Sequence, residues 1–125
     1  MSSADAKALI EQAVQDFLEE VPALKPLKLV VGVDLIGGRS DLQQFRLKLP
    51  EIEVTKDMAT DARVRVEMRR DFFNRMVEFE AKVPDWHQAF SEGRAKATGV
   101  DQYLRLIANV VEKQEERARL RRARH

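Results

Sequence analysis

The sequence predicts an α+β fold, with an antiparallel-rich sheet covered by helices on one face. Three observations predict it. Segments near 29–36, 45–49 and 62–69 alternate apolar and polar side chains with the period of a strand. Both ends of the chain carry apolar residues at spacings of three and four, the period of a helix face. Between the last alternating segment and the C-terminal stripe lies a run crowded with large apolar side chains and closed by Gly93 and Gly99.

The first element is an amphipathic helix over residues 1–21. Ala6, Leu9, Ile10, Ala13, Val14, Phe17, Leu18 and Val21 form one continuous face, Ser2 or Ser3 can cap the start, and Pro22 with Pro26 bounds the end. That face needs a cover: the sheet or a sister helix within the chain, or else a docking partner or second copy. Ala23 to Pro26 is a connector too short to separate domains.

Next, Leu29, Val31, Val33 and Leu35 alternate with Val30, Gly32, Asp34 and Ile36, so the second face of this strand is only partly polar, as suits a central position. Gly37 to Asp41 turns the chain, and Phe45, Leu47 and Leu49 return it as the second arm of a hairpin that Pro50 stops. The Gly37-Gly38 pair is not a phosphate loop, because no Gly-Lys-Ser/Thr follows and the next element is a strand. Ile52 and Val54 carry a short third strand, and residues 56–60 form a loop. In the fourth strand Ala62, Val64, Val66 and Met68 point one way, with Arg63, Arg65, Glu67 and Arg69 the other.

Phe72, Phe73, Met76, Val77, Phe79, Trp86, Ala89 and Phe90 then occupy two short helices, split at Pro84 and Asp85. Gly93 is the expected C-cap of the second, residues 94–98 form a last strand ended by Gly99, and Asp101 opens the final helix. That helix carries Tyr103, Leu104, Ile107, Val110 and Val111 as a stripe; from residue 112 to 125 the chain is a charged helical extension in which Glu115 and Arg119 stand at a favourable i,i+4 spacing.

The run Asp85-Trp86-His87-Gln88-Ala89-Phe90-Ser91-Glu92-Gly93-Arg94-Ala95-Lys96-Ala97-Thr98-Gly99-Val100 resembles the Ala-Phe-x-x-Gly-x-x-x-x-x-Gly segment of the sterol carrier protein 2 family. Residues 61–73 resemble the family's alternating strand followed by a short apolar helix, and the likeness spans about residues 27–111. Two departures stand out: Val100 occupies a place where the family often has an acid, and the charged extension is additional. The resemblance implies a five-stranded sheet with helices over one face, enclosing an apolar tunnel for a sterol, fatty acid or acyl-CoA. It also implies noncovalent binding, with transfer or presentation of the lipid, and no cofactor. The expected lining is Phe72, Phe73, Met76, Val77, Phe79, Trp86, Phe90, Tyr103, Leu104, Ile107 and Val111, each of which could equally be ordinary core. The final helix is a candidate lid.

Composition narrows the other classes. At 125 residues and 44% hydrophobic content the chain is expected to form a single domain over 1–125. With 22 Lys plus Arg against 21 Asp plus Glu, a net charge of +1 gives no reason to expect nucleic acid. Zero cysteines exclude a disulfide, a thiolate metal site and a cysteine nucleophile, and no His partners stand at metal-ligand spacing. A cytoplasmic location is expected, since no apolar run approaches the ~20 residues of a membrane span and the N-terminus lacks a signal-peptide layout.

Two further classes stay open. A small acid/base enzyme of lipid or steroid metabolism would use Asp34, Asp85 or His87; the competing readings are an Asp34 ion pair with a neighbouring strand and a His87 at a surface or cavity rim. A helix-mediated interaction module would use the N-terminal face for self-association. The last nine residues hold five Arg and no acid, which suits either transient contact with an anionic membrane through residues Arg117–His125 or a merely solvated tail.

Overall fold

The computed structural model describes residues 6–39 and 41–123. Ser2 and Ser3, proposed above as helix caps, lie outside the described residues. The elements follow in the order α1 (Ala6–Glu20), a 3-10 turn (Pro22–Leu24), β1 (Leu29–Ile36), β2 (Leu42–Leu49), β3 (Glu53–Lys56), β4 (Val64–Arg69), α2 (Arg70–Glu78), α3 (Val83–Ser91), β5 (Ala95–Gly99) and α4 (Asp101–Ala123).

The five strands form one sheet in the order β3-β2-β1-β4-β5. β1 is its centre, in keeping with its two apolar-rich faces. It pairs antiparallel with β2, Leu29 opposite Leu49 and Ile36 opposite Leu42, and parallel with β4, Val31 opposite Val64. The remaining pairings are antiparallel. Period-2 alternation then sorts the side chains: Leu29, Val31, Val33, Leu35, Phe45, Leu47, Val54, Val64, Met68 and Ala95 are buried on one face, beneath the helices. Arg46, Lys48, Arg65, Glu67 and Lys96 project from the other.

Three local features differ from the sequence expectation. Ile52 does not join β3; its φ of 56° puts it in the left-handed region, so the turn that follows β2 lasts one residue longer. α2 ends before Pro84 is reached, because Glu80 adopts φ 53° and the Ala81 N–H bonds the Met76 carbonyl at 3.0 Å, a left-handed cap made without glycine. The expected Glu115–Arg119 pair is replaced: Glu115 Oε1 lies 2.7 Å from His87 Nδ1, and α4 runs unbroken to Ala123. The cap at Gly93 is as expected, with φ 80° and the Arg94 N–H on the Ala89 carbonyl at 3.0 Å.

The buried side chains form two clusters. The larger joins the sheet to Ala6 and Ile10 of α1, Phe73 of α2 and Ala89 of α3. The smaller gathers Leu18, Val21, Leu24 and Val83, with Ile107, Val110 and Val111 of α4 packed on it. The Val83 N–H at the start of α3 donates to both carboxylate oxygens of Glu20, at 3.0 and 3.1 Å, which ties the end of α1 to that helix. The apolar face of α1 is thus used inside the chain, where Ala6, Ile10 and Leu18 are buried.

Candidate functional site

A cavity of about 480 Å³ lies where the two clusters meet. Its floor is the covered face of the sheet, with Leu29 and Val31 of β1, Leu47 and Leu49 of β2, Val64 and Val66 of β4, and Ala97 of β5. α1 contributes Val14, Phe17 and Leu18, and the segment after it Leu24 and Leu27. α3 supplies Val83, Trp86, His87 and Phe90; α4 supplies Leu104, Ile107, Ala108, Val111 and Glu112. His87 and Glu112 bring the ionisable side chains, and Trp86 adds an indole N–H. His87, Phe90, Ala97, Ala108 and Glu112 are the solvent-exposed members of the lining; four of the five set the mouth between α3 and α4, and Ala97 lies on β5, the edge strand.

The cavity exists because the chain spaces its helices apart without filling the gap. Leu24 and Val83 hold the second cluster closed at one end, while the side chains facing inward from β4 and β5 at the middle are only as large as Val66 and Ala97. A volume of 480 Å³ falls within the roughly 300–1,000 Å³ of small-ligand pockets.

Of the eleven residues expected to line a tunnel, five do line this cavity: Trp86, Phe90, Leu104, Ile107 and Val111. The other six are elsewhere. Phe73 is buried core, packed on Trp86 at a ring-centroid distance of 6.3 Å. Phe72, Met76 and Phe79 border a separate cleft between α2 and α3, shared with Arg75, Asp85, Gln88, Glu92 and Arg94; the Arg94 guanidinium lies 5.8 Å from the Phe72 ring centre. Phe79 is 77% exposed. Val77 packs half-buried on the larger cluster, and Tyr103 sits at the outer end of β1 and β2 beside Arg63 and Asp61. The physical reason is rotation: an apolar stripe on a short helix shows that one face is covered, and α2 turns that face onto α1, β1 and β4, away from the cavity.

Sequence reasoning missed the contribution of α1 and the strands. Val14 and Phe17 stand on the stripe already read as packing, and the strand residues belong to the alternation already read as core. Two helical stripes sharing one sheet face was the available signal that the space between them needed filling.

The three acid/base candidates are placed differently. Asp34 is on the opposite face of the sheet from the cavity, held by Arg65 at 3.0 and 3.2 Å and by Gln44 at 3.3 Å. This ion pair with the adjacent strand removes it as an acid in an apolar pocket. Asp85 accepts from the Lys82 N–H at 2.8 Å and caps α3. His87 is at the cavity rim. Its partner Glu115 can only accept, so Nδ1 carries the hydrogen between them. Asp85 and His87 do not pair. Among the described residues no group of three or more His, Cys, Asp or Glu could hold a metal, and no helix is long and apolar enough to cross a membrane.

A mixed five-stranded sheet, helices over one face and an apolar cavity between the two layers define the class of the domain, an α+β fold. Solved structures share it. The chain matches the sterol carrier protein domain 2 of Helicoverpa armigera over 86% of its own length and 84% of that chain, at TM-score 0.57 and 13% identity. It matches palmitated SCP2L2 of Aedes aegypti over 82% and 93%, at 0.54 and 17%. It also matches a UbiJ-SCP2 ubiquinone synthesis protein over 91% and 99%, at 0.53 and 18%. No protein-family model and no curated protein sequence matches the chain. The chain has the sterol carrier protein 2 fold.

Proposed function

We propose that this chain, acting as one unit, binds an apolar lipid noncovalently in the cavity beneath α3 and α4 and passes it on without chemistry. The observation that carries the reading is the cavity lining, apolar apart from the Trp86 indole N–H and from His87 and Glu112 at its mouth. The palmitate in the similar Aedes aegypti protein and the ubiquinone-synthesis role of another neighbour support a long hydrocarbon as guest.

Burying about ten methylenes would contribute roughly 8 kcal/mol at ~0.8 each, before ordering costs, so micromolar binding is the expectation. Such affinity suits a carrier, which must also release. The enzyme alternative loses support because Asp34 and Asp85 are committed to structural bonds. A cytoplasmic setting belongs to the proposal and fits the cysteine-free sequence.

The test is direct. Organic extraction of the purified protein followed by mass spectrometry, alongside displacement of a fluorescent lipid probe without a free carboxylate observed by energy transfer from Trp86, should give a bound lipid or saturable displacement. A folded protein giving neither overturns the reading.

The outer part of α4 supports a second element of the proposal, docking on an anionic bilayer. Leu120 is 55% exposed between Arg117 and Arg121, an apolar contact flanked by cations. Deleting residues 117–125 should abolish flotation with anionic vesicles; undiminished flotation removes this element.

A further inference from the structure

We infer that the cavity selects a lipid with an uncharged hydroxyl head and discriminates against a free carboxylate of the same chain length. The inference rests on the cavity being the lipid site and concerns what its mouth recognises.

A lipid head that enters an apolar enclosure must find hydrogen-bonding partners or lose those it had in water. Here the lining places its ionisable side chains at the mouth alone, His87 on α3 and Glu112 on α4, and the indole N–H of Trp86 is the other polar side-chain group it offers. The orientation of a guest follows: tail toward Leu24 and the sheet, head at the rim.

The rim is negative and rich in acceptors. Glu112 is an acceptor-only carboxylate, and a second carboxylate, Glu115, already holds His87 Nδ1 at 2.7 Å. Glu112 in the lining and Glu115 beside it on α4 put two carboxylates near one imidazole, which can offset at most one of them. The cavity lining contains no Lys or Arg to offset the other. In the neutral ring Nε2 is likewise an acceptor, because Nδ1 carries the hydrogen that Glu115 receives.

A hydroxyl brings the donor this arrangement lacks. It can donate to Glu112 or to Nε2 and still accept from water at the exposed mouth. A carboxylate brings two more acceptors and a like charge, so it meets repulsion at the mouth. A fatty alcohol, a prenol or a sterol has the required head; a fatty acid does not.

A matched pair isolates the head. Dodecanol and dodecanoate should be titrated at neutral pH against the intact chain, with Trp86 emission as readout. Dodecanol should bind about tenfold tighter or more. Glu112→Gln, an exposed position on α4, should narrow the gap to about threefold or less by improving dodecanoate. Glu67→Gln removes the same charge from the opposite sheet face and should leave the ratio unchanged. Thermal melts of both variants establish that they fold.

Dodecanoate binding as tightly as dodecanol overturns the inference while leaving the cavity reading intact. A preference that survives Glu112→Gln also overturns it, since the rim charge would not be the cause. Binding of neither ligand overturns the cavity reading and the inference with it.

Discussion

Asp34 and Arg65 face each other across β1 and β4 as a fork on a fork: Arg65 Nη2 donates to Oδ1 at 3.0 Å and Nε to Oδ2 at 3.2 Å. The same guanidinium donates to the carbonyls of Met58 and Ala59 at 2.8 and 3.0 Å, which fastens the loop before β4 over the uncovered face of the sheet. Gly32 makes room for this, since a Cβ there would lie 2.8 Å from the Arg65 Cζ. The arrangement uses four of the donors that only arginine offers in one plane.

Arg65→Lys should therefore destabilise the fold although it keeps the charge. A single ammonium cannot reach both the carboxylate and the two carbonyls, and the expected loss is about 1–3 kcal/mol, or roughly 3–10 °C in melting temperature. Asp34→Asn should cost about 1–2 kcal/mol and leave lipid displacement unchanged. Loss of lipid binding in a fully stable Asp34→Asn protein would return Asp34 to the list of functional residues.

Asp61 makes a pH-dependent contribution of known sign. The Arg46 guanidinium donates to its carboxylate at 2.8 and 3.0 Å and holds the Asp61 carboxyl below its usual range. A depressed folded pKa stabilises above the ordinary aspartate value, and the stability is lost as pH falls through the lowered one. The melting-temperature difference between the natural chain and Asp61→Asn should be largest near neutral pH and should close as the acid range is entered. A difference that widens on acidification would show the sign to be wrong.

Gly99 and Gly93 should respond unequally to alanine. Both have positive φ, 135° and 80°, but a Cβ on Gly93 meets nothing within 4 Å, whereas one on Gly99 would strike the Arg63 carbonyl oxygen and lie 2.8 Å from Val64 Cα. Gly93→Ala should cost about 1–2 kcal/mol, the ordinary charge for a left-handed alanine. Gly99→Ala should cost upwards of about 2 kcal/mol, because β5 must also move off β4. Equal melting temperatures for the two variants would mean that β5 yields without resistance.

Ala108 is the small residue at the cavity mouth, exposed on α4. Ala108→Trp should leave the melting temperature within a few degrees, as expected of a surface change of about ±0.5 kcal/mol, and reduce lipid affinity about tenfold or more by blocking the mouth. Phe79→Ala, in the other cleft, should leave affinity unaltered. If Phe79→Ala weakens binding and Ala108→Trp does not, the guest occupies the α2–α3 cleft.

Much of the architecture was legible because it follows from short-range periodicity. Alternation in 29–36 and 64–69 marked both strands and which of their side chains turn inward, and Gly93 announced its cap because glycine adopts a positive φ without steric cost. The Asp34 ion pair was readable as an alternative, since a carboxylate on the half-polar face of a central strand needs a cation on its neighbour. The turns at Ile52 and Glu80 were not readable, because neither residue type favours a left-handed backbone and tertiary context imposed it. The cavity lining was half legible: Trp86, Phe90, Leu104, Ile107 and Val111 stand on stripes that face the cavity, but Phe72, Met76 and Phe79 stand on a stripe that looks the same and borders a different cleft.

By itself the sequence determined the order and type of the elements, the inward face of each strand and the family likeness of the 85–100 segment, all of which depend on residues a few positions apart. Only the tertiary structure decided that α2 rotates away while α1 helps to wall the cavity, that β1 and β4 run parallel, and that His87 meets Glu115 across 28 positions. Those outcomes depend on how helices of differing length and tilt settle on one sheet face. Packing between distant segments sets that geometry, and no local period encodes it.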